Sequence, residues 1–228
     1  MTADMFNQEI FRVIAERHCK RAFISKSVDR EILESVLTNA SNAPSSKNTQ
    51  PWGVVVVSGK MRDELSHEIC DLFDKGIYEE PEYKYSPDPL PSFMKDRARK
   101  CGFDLFDLKN IDKHDKPARK VHERENYIFF GAPVVMIFHL PANAEKGTFL
   151  DMGFFMQNVM LGLVGAGLVS CPQASQTRYS ATIRKRIDLP QDRIIVAGLA
   201  LGYVDNSKKV NEYIPKRLEL NEYVEWRE

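Results

Sequence analysis

Ala43-Pro44-Ser45-Ser46-Lys47-Asn48-Thr49-Gln50-Pro51-Trp52 sets short polar side chains and turn formers between a helical pattern and an apolar run, and the rest of the chain is read outward from it. Pro44 and Pro51 fix φ at its two ends. Ser45, Ser46, Asn48 and Gln50 carry hydroxyl and amide groups that both donate and accept hydrogen bonds. The segment contains no nucleophile–base pair. Its composition suits a planar, heteroatom-rich ligand contacted along its edge, which points to an organic cofactor rather than a metal or a catalytic triad.

On the N-terminal side, Phe6, Ile10, Val13 and Ile14 recur at helical spacing, and so do Ile32, Leu33, Val36, Leu37 and Ala40 after Ser27 and Asp29. Two amphipathic helices therefore lead into the loop. On the other side, residues 52–58 (WGVVVVS) form a β-branched run without alternation, which predicts a strand buried on both faces. Residues 61–73 return to helical periodicity. Residues 78–91 are rich in Pro, Tyr and Glu, and Pro81, Pro87, Pro89 and Pro91 forbid a long helix there. Charged helical patterns follow over 93–108 and 118–127, so 78–126 reads as a lid-like surface excursion. Residues 132–138 and 193–202 predict two further buried strands. Between them, residues 150–164 are apolar almost all round a helix, which predicts burial on every side, against a second subunit in part. The arm 206–228 has too little apolar content for a core of its own and is expected to wrap another surface.

At 228 residues, with 32 basic and 32 acidic side chains, the chain reads as one domain over 1–228, with no net field to attract nucleic acid or an anionic membrane. The first residues place acidic side chains where a secretory signal would be basic, and residues 154–169 are too short and too interrupted to span a bilayer. Cys19, Cys70, Cys101 and Cys171 form no C-x-x-C pair, and the five histidines show no metal-binding spacing. A soluble, cytoplasmic protein without a metal is expected. Gly162, Gly165 and Gly167 are in the wrong order, and at the wrong end of a helix, for a dinucleotide fingerprint. Arg17, His18, Lys20 and Arg21 follow the first helix, with Lys216 and Arg217 far downstream; brought together they would hold a dianion, although basic residues also favour a solvated helix C-terminus.

The run APSSKNTQPW, with RHCKRAF at 17–23 and GLALGYV…NEYIPKR near the end, resembles the FMN-dependent nitroreductase family, in the family's order and over most of the chain. The resemblance implies an α+β fold in three layers: a central mixed, mainly antiparallel sheet flanked by helices, in an intertwined homodimer with FMN at each subunit interface. It implies that Arg17, His18, Cys19, Arg21, Lys216 and Arg217 hold the phosphate and ribityl chain. Cys19 stands where many members have Ser, and a thiol is the poorer donor. It implies that Pro44, Ser45, Ser46, Asn48 and Gln50 reach over the flavin of the neighbouring subunit. Pro172, Gln173 and Ala174 would run along the ring and offer a main-chain N–H to flavin N5; many members have Gly or Glu there, which leaves the donor open. Cys171 lacks a His partner and reads as a packed side chain. The implied activity is hydride transfer from NAD(P)H through the flavin to a nitroaromatic or quinone-like acceptor, in ping-pong order and with no catalytic acid or base. A same-fold dehydrogenase, reductive dehalogenase or flavin-cleaving enzyme, or a non-turnover FMN-binding protein, is the alternative.

Overall fold

The apolar run at 134–140 is explained by its place in the sheet. The computed structural model describes residues 8–228, so Phe6 lies outside the described residues. Strands β1 (Gly53–Ser58), β2 (Val134–Pro141), β3 (Val169–Gln173) and β4 (Arg193–Gly202) form one sheet in the order β1-β2-β4-β3, each neighbouring pair antiparallel. An isolated bridge between Cys19 and Ser170 adds a parallel contact. Along β2, Val135 and Ile137 enter a cluster with Leu65, Ile69 and Phe73 of helix α3 (Gly59–Asp74). Met136 and Phe138 enter the opposite cluster, with Val36 of the Arg30–Ala40 helix and Phe155, Val159 and Leu163 of the Lys146–Gly165 helix. An inner strand covered on both faces has no polar side to alternate with, and each such side chain contributes about 1.5–3 kcal/mol by leaving water. Three layers result.

The helices in chain order are α1 (Gln8–Glu16), α2 (Arg30–Ala40), α3, α4 (Ser92–Leu108), α5 (Lys116–Arg124), α6 (Lys146–Gly165) and α7 (Ser180–Arg186). A capping box between Glu145 and Thr148 starts α6. Gly167 at φ 74° ends it, with Leu168 N–H donating to the Leu163 carbonyl at 2.8 Å, a left-handed stop that glycine adopts without strain. The glycines of this region therefore close a helix.

Two expectations change. The valine run of β1 lies at a sheet edge, so Val57 is 1% exposed but Val56 is 42% exposed. In the protomer α6 buries Met152, Phe155, Val159 and Leu163 on one side and leaves Leu150 and Phe154 exposed on the other. Helix α1 buries no residue, and Ile10, Phe11 and Ile14 face out.

The excursion is fastened at its start. Glu79 accepts from the N–H groups of Ala181 (2.7 Å) and Thr182 (3.1 Å) at the beginning of α7. Glu82 pairs with Arg184 and accepts from Ile195 N–H at 2.7 Å. Tyr83 donates its hydroxyl to the Val196 carbonyl at 2.6 Å. Val196 is the extra residue of a β-bulge, since Phe138 pairs with Ala197 and His139 with Ile195. Farther along, α4 buries only Leu105; Phe103 is exposed, and Phe106 meets His122 edge-on. Of the arm, Ile214, Leu220, Tyr223 and Trp226 are exposed. No helix among the described residues is long and apolar enough to cross a membrane.

Candidate functional site

The basic segment at 17–21 leaves α1, whose last turn Arg17 N–H closes on the Val13 carbonyl at 3.1 Å, and runs extended beside β3. Lys20 N–H donates to the Ser170 carbonyl at 3.1 Å. Asn211, 5% exposed, ties the same segment to the C-terminal region: its Oδ1 accepts from Arg21 N–H (2.7 Å) and its Nδ2 donates to the carbonyls of Ala22 (2.8 Å) and Asp205 (2.9 Å). Lys20 Nζ donates to the Asn211 carbonyl at 2.5 Å. Sequence reasoning missed Asn211, although it heads the NEYIPKR motif.

Four charges converge here. The imidazole of His18 titrates below its ordinary value because it is desolvated and because Lys20, Arg17 and Arg217 lie near it. Its Nδ1 is buried without a partner. Among the described residues, none of Arg17, Lys20, Arg21, Lys216 and Arg217 has a carboxylate within ion-pair distance. Lys216 is exposed, and among the described residues no hydrogen bond or ion pair joins it to the group. Cys19 is held down to about 6: its thiolate accepts a hydrogen bond from Cys171, and Arg21 and Arg17 add to this against the opposing effect of burial. Cys171 is correspondingly pushed up by that hydrogen bond and by burial. It is buried, as expected, with the Cys19 sulfur beside it and its own Sγ within 3.9 Å of the Pro172 carbonyl.

Strand β3 was not read as a strand. It forms the sheet edge beyond β4, where Pro172 is tolerated. Gln173 is 2% exposed and donates to the Asn126 carbonyl at 2.7 Å, a carbonyl shared with Gln176 at 2.9 Å. Ala174 opens the 3-10 segment Ala174–Tyr179.

The loop that opened the argument is exposed from Ser46 to Gln50. It contains the short 3-10 turn Ser46–Asn48, and Lys47, Asn48 and Gln50 have φ of 51°, 60° and 44°. Ser46 N–H donates to the Asp151 carboxylate at 3.3 Å. Among the described residues no hydrogen bond or ion pair joins this loop to the basic segment.

Residues 14–203 match the model of the Nitroreductase family. The chain belongs to the nitroreductase family. A chloronitrobenzene nitroreductase of Comamonas testosteroni is 34% identical, over 92% of this chain and 93% of that protein. A 4-nitrobenzoate reductase of Pseudomonas putida is 35% identical over 87% of each. Among solved structures, the FMN-dependent nitroreductase NfnB from Mycobacterium smegmatis in complex with NADPH superposes with a TM-score of 0.93, at 30% identity, covering 97% of this chain and 99% of that one. As a nitroreductase, the chain shares the family's three-layer α+β fold.

Proposed function

We propose that this nitroreductase is FMN-dependent and takes electrons from NADH or NADPH, with one FMN at each interface of a homodimer. The observation that carries the reading is the convergence of Arg17, Arg21 and Arg217 on His18 and Cys19, beside β3 and, among the described residues, without a neutralising carboxylate. That group fits a phosphate dianion, toward which each charged hydrogen bond contributes about 1.5–3 kcal/mol. His18, desolvated and pushed below its ordinary value by Lys20, Arg17 and Arg217, offers its partnerless Nδ1 as a polar contact. Pro172 has no N–H, so the main-chain donor toward flavin N5 falls to Gln173 or Ala174. Bound FMN supplies the hydride chemistry at its ring. The chain's own work is to hold the phosphate, offer that N–H and position the reactants, so no side chain need act as acid or base.

The loop at 44–50 supports a composite site, because among the described residues no hydrogen bond or ion pair of the protomer joins it to the basic segment. The exposed apolar residues of α1, the outer face of α6 and the C-terminal arm, including Phe11, Phe154 and Trp226, are the matching dimer surface. Helix α4, lightly packed with exposed Phe93 and Phe103, is the movable part of the excursion and the lid. A nitroaromatic or quinone-like acceptor follows NAD(P)H into the same pocket in ping-pong order. The free cysteines fit a cytoplasmic setting.

The test is the visible spectrum of the purified protein under anaerobic NADPH or NADH, followed by nitrobenzene. Flavin bands that bleach and then return are expected. Bands that persist through both additions, or a colourless protein that does not take up FMN, would sink the proposal. Sedimentation of the flavin-loaded form at nanomolar concentration should show a dimer.

A further inference from the structure

The loop from Pro44 to Pro51 keeps a demanding shape with little packing to hold it. Three of its non-glycine residues are left-handed, a backbone state that persists only where surrounding interactions enforce it. Its internal hydrogen bonds, Asn48 N–H to the Ser45 carbonyl and Gln50 N–H to Ser45 Oγ, both at 3.0 Å, close the turn. They do not aim it relative to the sheet.

The aim comes from two anchors outside the loop. At the start, Ser46 N–H is held by the buried Asp151 carboxylate of α6. At the finish, Arg193 Nη2 donates to the Pro51 carbonyl at 3.2 Å, and Arg193 Nε donates to His139 Nδ1 at 2.9 Å. The second anchor is built with care. His139 follows the register shift caused by the bulge at Val196, a device that re-aims a side chain. Its ring covers Gly53, where an added Cβ would stand 2.1 Å from His139 Cε1. The Arg193 carbonyl is fixed in turn by Arg184 Nη2 at 2.6 Å. Next to Pro51, Trp52 stacks on Phe155 of α6, with centroids 4.8 Å apart and planes within 4°.

We infer that His139 and Arg193 are positioning residues for the cofactor-facing loop: neutral His139 orients the Arg193 guanidinium, which fixes the Pro51 carbonyl and so the direction in which Ser45, Asn48 and Gln50 are presented. The inference rests on the proposed role of that loop in walling the FMN site of the partner protomer. Because Nδ1 must accept, the imidazole must be neutral with its proton on Nε2. Burial, Arg193 and Arg184 keep it so, lowering its titration to about 4. Without the acceptor, the guanidinium is free to swing off Pro51.

Trp52 reads the anchor independently of flavin, and Trp226, the other tryptophan, is kept in every variant so that its signal cancels in the difference from the wild type. His139→Leu and Arg193→Met are compared with His139→Asn, whose amide oxygen stands near the position of Nδ1. The flavin-stripped dimer is followed by Trp52 emission and near-UV circular dichroism, then titrated with FMN. His139→Leu and Arg193→Met should shift the Trp52 signals and weaken FMN binding about tenfold, the scale of one lost charged hydrogen bond. His139→Asn should stay within about twofold. An unchanged Trp52 signal and unchanged FMN affinity in His139→Leu would overturn the inference. Equal impairment of the Leu and Asn variants, in step with a fall in Tm, would overturn it as well, showing packing alone. A shifted Trp52 signal with unchanged FMN affinity would instead remove the loop from the cofactor site, and with it the role assigned to both residues.

Discussion

The segment 17–21 and the loop 44–51 are both assigned to one cofactor, yet they are built on opposite plans. The first is partly buried, pinned through its backbone by β3 and Asn211, and carries charges that no carboxylate among the described residues answers. The second is exposed, strained at Lys47, Asn48 and Gln50, closed by its own hydrogen bonds, and tied to the rest of the fold near its two ends. Charge must be restrained against repulsion while it waits for an anion, whereas a shaped polar edge needs only to be aimed. The contrast implies that substitutions in the first should act on affinity, and those in the second on geometry.

The largest effect should come from the charges. Arg17→Ala and Arg21→Ala should each weaken FMN about 10- to 100-fold, from one charged hydrogen bond lost, while leaving the dimer folded; fluorescence titration measures it, and full flavin retention in both would remove the phosphate assignment. Asn211→Ala comes next. It strips Arg21 N–H, Ala22 and Asp205 of a buried partner, so a loss of about 2–4 kcal/mol in stability is expected, with Tm and FMN affinity falling together. Should only Tm fall, the segment would be held by other means. Asp151→Ala, on the loop side, should raise KM for the acceptor a few-fold with Tm little changed; an unaltered KM would leave the start of the loop without need of its anchor.

The pH dependence is smaller. His139 titrates at about 4 in the fold, against about 6.5 unfolded, with Arg193 and Arg184 facing it. Between these values the unfolded chain binds more protons. The contribution of neutral His139 is therefore complete above about pH 6.5 and is lost as pH falls toward 4. Urea titrations from pH 7 to 4 should show a shallower decline in His139→Asn than in the wild type; parallel curves would contradict the shift. In flavin-free protein, Cys19 should alkylate with a midpoint near pH 6, and Cys171→Ala should move that midpoint upward.

The inner strands β2 and β4 and helices α2, α3 and α6 were legible because continuous apolar runs and helical spacing are local properties. Strand β3 was not, because Val169-Ser-Cys-Pro-Gln is short and half polar and takes its form from the neighbour it pairs with. β1 was placed correctly but given two buried faces, since four consecutive valines do not report a sheet edge. Arg17 and Arg217 lie near His18, which their charges alone did not require, because a solvated helix end would satisfy them equally. What tethers them was silent, because an asparagine gains its value only from groups some 190 positions away. The same holds for Cys19 and Cys171, and for Arg193 and Pro51.

That separation bears on how the protein is made. Asn211 secures the segment at 20–22, so a growing chain must add 190 residues after Arg21 before that tether exists. A chain ending before Asn211 would hold every strand of the sheet yet lack the side chain that ties down Arg21 and Ala22.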